Sequence, residues 1–92
     1  MDNNTFRRYI AKKLSDCRAD LRRSDLPEAE RAAAEKALKW LESADRICRF
    51  SCGDAVRRFR RNYERSLRKQ GMRFLTKYEI EGRALRGTAL TS

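Results

Sequence analysis

Apolar residues recur three or four positions apart along most of this 92-residue chain, and this spacing constrains the fold more than any other feature. Between Phe6 and Leu21 the spacings are 4, 4, 3 and 4, which place five apolar side chains on one face of a helix. Charged residues make up 39% of the chain, a share that favours disorder when the sequence has no pattern. Because the apolar residues are periodic, and glycine (4) and proline (1) are scarce, we expect long helices joined by short turns.

The same spacing predicts where the helices lie. We expect helices at about residues 5–23, 26–49, 52–70 and 77–86, followed by a frayed tail at 87–92. Together they should form one small all-α domain over residues 1–92. Its expected architecture is an antiparallel three-helix bundle with a short fourth C-terminal helix or an extended segment.

Residues that cap helices stand at the predicted helix starts. Asn3, Asn4 or Thr5 can cap the start of the first helix. Asp25 and Ser51 each precede an acidic residue by three positions, which is the pattern of a capping box. We therefore expect Asp25 to cap the second helix and Ser51 to cap the third.

The positive charge of the chain is concentrated in one segment. Ten basic residues between Arg46 and Arg73 outnumber two acidic ones, so this segment carries +8 of the total net charge of +10. Residues 1–45 and residues 74–92 each come to only +1. Since a local positive field attracts polyanions, the segment predicts a nucleic acid or an acidic protein surface as the partner.

The basic segment coincides with the predicted third helix. At 100° per residue, an apolar stripe from Val56 to Leu67 takes one side of this helix and arginines take the other. Four arginines spaced 3, 4 and 3 apart form what we call the arginine ridge: Arg58, Arg61, Arg65 and Arg68. The full set of predicted binding residues is Arg49, Arg57, Arg58, Arg61, Arg65, Arg68, Lys69 and Arg73.

The main functional prediction is a small nucleic-acid-binding protein, for DNA or RNA, whose third helix contacts phosphates. Arginine supports this prediction because its planar guanidinium matches phosphate oxygens, and 17 of the 23 basic residues are arginine. The alternative is a solvated helix face whose arginines pair with acids of the first two helices. Those acids would be Asp16, Asp20, Glu30 and Asp45.

Sequence-specific recognition of DNA is a narrower possibility. The second helix, a turn and the third helix have the order of a helix-turn-helix motif, in which Asn62, Gln70 or some arginines would contact base edges. The second helix is longer than this motif uses, and arginine runs along the whole third helix, so contact with phosphates is preferred. Aromatic residues could stack on bases, but helical spacing assigns Trp40, Phe59 and Tyr63 to the core.

A protein partner is the competing class. A small chain without motifs also fits a protein-binding inhibitor encoded by a phage or mobile element, of the anti-CRISPR kind. Such an inhibitor would dock on an acidic surface or in the nucleic-acid channel of a host ribonucleoprotein complex. Association into a homo-oligomer is also possible, because it would add burial to a small core.

Little in the sequence supports catalysis. The chain has no histidine, no glycine-rich phosphate loop and no nucleophile motif, so we expect no enzyme activity, no metal site and no cofactor. Cys17 and Cys48 lie on apolar stripes and are expected in the core, whereas Cys52, near Arg49 at a helix start, is a candidate reactive thiol. Residues 1–13 lack the apolar core of a secretory signal and no run is long enough to span a bilayer. We therefore expect a cytoplasmic, reduced protein without a membrane partner.

Overall fold

The computed structural model describes residues 1–70 and 77–86, without the side chains at positions 70, 81, 84 and 86. It contains four helices: α1 (Asn3–Leu21), α2 (Glu28–Phe50), α3 (Gly53–Gln70) and α4 (Lys77–Arg86). No strand occurs in these ranges, and three long helices pack with a short fourth one. The predicted all-α bundle is therefore confirmed, while the predicted tail at 87–92 lies outside the described residues.

α1 and α2 form an antiparallel pair. Near the start of α1, Nε of Arg7 donates a hydrogen bond of 2.7 Å to the carbonyl of Cys48, near the end of α2. Toward the other ends of the two helices, the thiol of Cys17 donates to the carbonyl of Ala34 over 3.4 Å. The distance between packed helices depends on the side chains at the contact, and small ones allow a close approach. Three buried alanines of α2 serve this purpose: Ala34, Ala37 and Ala44.

α3 runs in the same direction as α1. At the starts of the two helices, Nδ2 of Asn3 donates a hydrogen bond of 3.0 Å to the carbonyl of Gly53. Further along, about one turn into α1 and nearly three turns into α3, the ring centroids of Phe6 and Tyr63 are 5.6 Å apart. The hydroxyls of Tyr9 and Tyr63 are 3.3 Å apart. These tilted aromatic contacts are favourable, and they determine which side of α3 faces the core.

α4 packs against both α2 and α3, which make little direct contact with each other. At its start, the hydroxyl of Tyr78 donates to Asp20 near the end of α1, and Nζ of Lys77 lies 3.4 Å from the same carboxylate. Further along, Gly82 lies beside Trp40 of α2. The short fourth helix thus forms a side of the bundle between α2 and α3, and it extends what would otherwise be a three-helix core.

The core lies where the four helices meet. Its largest fully buried side chains include Phe6, Ile10, Leu41, Val56, Tyr63 and Leu85. Two cysteines belong to it, as predicted: burial raises the pKa of the Cys17 thiol and raises the pKa of Cys48 to about 11. Trp40 departs from the prediction, because it is only half-buried and packs against the edge of the core. The alanines of α2 fill the centre in its place.

Two helix starts differ from the predicted capping. Asp2 caps α1 by accepting a hydrogen bond of 2.7 Å from the N–H of Thr5, a bond that lowers the pKa of Asp2. α1 therefore begins two residues earlier than expected. Asp25 does not cap α2, because its carboxylate accepts two hydrogen bonds of 3.0 and 3.1 Å from Arg23, which lowers the pKa of Asp25. Pro27 takes the cap position without a side-chain hydrogen bond.

The turn between α2 and α3 consists of two residues. Ser51, predicted to cap α3, is instead the residue that ends α2, and its N–H donates to the carbonyl of Ile47 over 3.0 Å. The carbonyl of Cys52 then accepts a 3.0 Å hydrogen bond from the N–H of Val56, which opens the next helix. So short a turn directs α3 back along α1 with its apolar stripe toward the core.

Candidate nucleic-acid interface

α3 is held with its apolar stripe inward. Val56, Phe59 and Tyr63 are buried in the core. Because side chains leave a helix at 100° intervals, the positions opposite this stripe point away from the bundle. The arginine ridge, Arg57 and Lys69 occupy those positions, and all of them are exposed.

The arginine ridge is continuous and unpaired. Its ends, Arg58 and Arg68, are ten residues apart, which corresponds to about 15 Å along the helix axis. Among the side chains that the structure describes, no carboxylate lies within 4.0 Å of a ridge guanidinium or of the Lys69 amino group. The four ridge arginines and Lys69 therefore present five cations to solvent on one side of α3.

Two other arginines of α3 are engaged within the protein. The guanidinium of Arg57 binds Asp54, one turn earlier in the same helix. Arg60 is only 13% exposed: it donates to the carbonyl of Met1, and its Nε lies 3.7 Å from Glu64. Both arginines therefore contribute less than the ridge to the charge that α3 presents outward.

The acids that the sequence offered as partners for the ridge bind other cations instead. Three of them form these pairs: Asp16 with Lys12 (3.6 Å), Asp20 with Lys77 (3.4 Å) and Asp45 with Arg49 (2.9 Å). Glu30 has no ridge cation within 4.0 Å among the described residues. Each of these pairs has an exposed cation that water screens, so its contribution to stability is small. They matter here because they show that these carboxylates lie away from the outward face of α3.

Several predicted site residues are not brought to the ridge. Arg49 belongs to α2, where it binds Asp45 and lines a groove shared with α1. Asn62 is half-buried on a flank of α3. Arg73 and the side chain of Gln70 lie outside the described residues. Apart from Asp54, the side chains described on the outward face of α3 are cations, which suits phosphate contact better than the reading of base edges.

Aromatic side chains are missing from the part of this outward face that the structure describes. Tyr63 and Tyr78 are buried, and Tyr9 is half-buried with Nζ of Lys13 at 4.9 Å from its ring centroid. Phe50 differs from them, since it is 82% exposed at the end of α2. Single exposed apolar side chains are common on protein surfaces, so Phe50 by itself identifies no site.

The remaining chemical predictions concern a thiol and the absence of metal sites. Cys52 is exposed beside the start of α3, so its thiol is accessible, and its reactivity stays a prediction. The described residues hold no group of three or more histidine, cysteine, aspartate or glutamate side chains placed to bind a metal ion. None of the helices in those ranges combines the length and apolarity needed to cross a bilayer.

A groove of about 570 Å³ between α2 and α4 was not predicted from the sequence. Its lining combines small apolar residues and an aromatic one with cations. The apolar and aromatic residues include Ala29, Ala32, Ala33 and Trp40, and the cations are Lys36, Lys39 and Arg83. A signal for it existed in the sequence, because α2 carries a second set of apolar residues at helical spacing beside its core stripe.

No protein family, curated protein or solved structure matches this chain. The charge and geometry of the protein itself are therefore the basis for assigning it a function.

Proposed function

We propose that the protein binds nucleic acid through the arginine ridge and Lys69, which contact phosphates of the backbone. The observation that carries the proposal is the set of five exposed cations on α3 without a carboxylate partner among the described residues. Guanidinium groups form paired hydrogen bonds with phosphate oxygens, and arginine is enriched where phosphate is recognised. Acids such as Asp16 and Asp45, which could have neutralised the ridge, bind cations on other faces.

An unpaired ridge destabilises the protein when no partner is bound. Like charges three or four positions apart on a helix cost about 0.2–0.5 kcal/mol per pair. The ridge contains three such pairs in succession, so the cost is about 1 kcal/mol in total. Phosphates that neutralise the arginines would remove this cost, and ligand binding should therefore stabilise the folded state.

A nucleic-acid duplex suits the ridge better than a single strand. An α-helix with its side chains is about 10–12 Å wide and fits the major groove of B-DNA, which is about 12 Å wide. Proteins that hold single strands stack bases on aromatic side chains. The outward face of α3, as far as the structure describes it, offers none. Because the contacts go to phosphates, we expect little sequence preference.

The salt dependence of binding to a short labelled DNA duplex tests this proposal. Five phosphate contacts predict that log affinity falls against log salt concentration with a slope of about −4.5. Replacing the four ridge arginines with glutamine leaves one contact, so the slope should fall to about −1. Helicity, measured by circular dichroism, should be retained because the replaced side chains are exposed.

A matched control removes the same charge from another surface. Four exposed cations of α1 and the turn after it suit this purpose: Lys12→Gln, Arg18→Gln, Arg22→Gln and Arg23→Gln. This variant should keep the slope of the natural sequence. The proposal is wrong if the unaltered protein does not bind duplex at low salt, or if the ridge variant binds with an unchanged slope.

The alternative is a protein partner with a carboxylate-rich surface, because guanidinium groups pair with carboxylates as they do with phosphates. In this case the protein would be an inhibitor encoded by a phage or mobile element that docks on an acidic surface or in a ribonucleoprotein channel. Failure to bind duplex at low salt, together with binding of an acidic protein that ridge substitutions abolish, would support it.

A further inference from the structure

A seam of mainly apolar residues runs along α2 outside the core. Positions 29, 33, 36, 40, 43, 47 and 50 are alternately four and three residues apart. The apolar members of this seam are Ala29, Ala33, Trp40, Ile47 and Phe50. A repeat of 3.5 residues is the pattern by which helices pack side by side over a long distance. The seam extends over 22 residues, or about 32 Å from the first to the last.

α4 covers only part of this seam. With 10 residues, α4 is about 15 Å long, roughly half the length of the seam. The groove of about 570 Å³ remains open beside Ala29, Ala33 and Trp40. Past the groove, Ile47 is half-buried and Phe50 is exposed. Apolar surface is therefore accessible along much of α2.

Three cations border the groove. Lys36 and Lys39 come from α2 and Arg83 from α4, and all three are exposed. In the parts of the chain that the structure describes, none of them has a carboxylate within 4.0 Å. Among the described side chains that line the groove, Glu79 is the acidic one. The groove thus combines an apolar floor with a predominantly positive rim.

We propose that this groove binds an amphipathic helix of a partner protein that carries acidic residues beside its apolar stripe. A helix matches the repeat of the seam, the alanines allow it to approach closely, and its carboxylates would pair with the rim cations. A second copy of this chain is disfavoured, because each copy has a net charge of +10 and carries the same cations. Nucleic acid would leave the alanine floor and Phe50 uncovered. The proposal is independent of the arginine ridge, since none of the described side chains of α3 lines the groove.

Trp40 provides a direct probe, because it is the single tryptophan of the chain and it lines the groove. The ligand is a synthetic peptide of about 22 residues, the length of the seam, with leucine at the seam spacing and glutamate at flanking positions. A matched peptide carries glutamine in place of glutamate. Both should shift the Trp40 emission, and the acidic peptide should bind about tenfold tighter, the size expected of three partly exposed ion pairs.

Variants separate the contributions to this binding. Replacing Lys36, Lys39 and Arg83 together with glutamine should abolish the tenfold preference for the acidic peptide. Phe50→Ser should weaken the binding of both peptides and leave the Tm unchanged, because the side chain is 82% exposed. The variant with glutamine at all four ridge positions should bind both peptides as the natural sequence does, which distinguishes this proposal from nucleic-acid binding.

Three results would overturn the inference. The first is equal affinity for the two peptides, or a Trp40 emission that neither peptide changes. The second is an emission shift caused by duplex DNA and lost on replacement of Lys36 and Lys39, which would assign the groove to nucleic acid. The third is a concentration-dependent dimer that Phe50→Ser dissociates, which would assign the seam to a second copy.

Discussion

Replacing one ridge arginine with glutamine tests the interface at the level of a single contact. Arg61 stands within the ridge, exposed and without a carboxylate within 4.0 Å in the described ranges. If its guanidinium binds one phosphate, Arg61→Gln should reduce the salt slope by about 0.9. At about 0.1 M salt this change corresponds to a roughly eightfold loss of affinity, or about 1.2 kcal/mol.

Two arginines that already form ion pairs are matched controls for this substitution. Arg57 also lies on the outward face of α3, but its guanidinium binds Asp54. A phosphate would have to compete with that carboxylate, so we expect Arg57→Gln to change the slope by less than half as much. Arg23 binds Asp25 in the turn between α1 and α2. Arg23→Gln removes the same charge from a different surface and should leave the slope unchanged.

Fluorescence anisotropy of a labelled duplex of about 20 base pairs, measured between about 50 and 200 mM salt, gives these slopes. Thermal unfolding followed by circular dichroism verifies that each variant is folded. Equal changes in slope for Arg61→Gln and Arg23→Gln would show that the total charge of the protein drives binding. The arginine ridge would then not be the interface.

Three further predictions concern α4 and the cysteines. Gly82→Ala should raise the free energy of unfolding, measured by urea denaturation, by about 0.5–1 kcal/mol, because alanine is the better helix former. The added Cβ would lie 3.8 Å from Trp40, an ordinary contact distance. A lower free energy of unfolding would contradict this prediction. Burial raises the pKa of Cys48 from 9.0 to about 11. As the pH rises, the thiol therefore ionises in the unfolded chain before it ionises in the folded protein. The stability that this thiol contributes is fully present below pH 9 and is lost as the pH rises toward 11. The decline over that range should be steeper for the natural sequence than for Cys48→Ala, and equal declines would exclude this linkage. A thiol reagent should label Cys52 in the folded protein, while Cys17 and Cys48 are protected by burial. If Cys52 is labelled no faster than a free thiol, it is not a reactive cysteine.

The sequence by itself determined the helices and the two-sided character of α3. The spacing of Phe59 and Tyr63 against Arg61 and Arg65 is a local property, and a helix converts it into opposite faces whatever surrounds it. For the same reason the burial of Cys48 was predictable from its place on an apolar stripe. Periodic patterns are informative because they depend only on residues within a few turns of each other.

Tertiary structure decided which charges are neutralised and which surfaces stay open. Asp25 had the spacing of a helix cap, yet it binds Arg23, because a short side chain takes whichever donor the turn brings nearest. The freedom of the arginine ridge depends on where the carboxylates of α1 and α2 lie, and the groove beside Trp40 depends on how far α4 reaches along α2. These features are set by distances between residues far apart in the chain. The spacing of apolar residues on α2 indicates a second apolar face, but it does not determine how much of that face α4 covers.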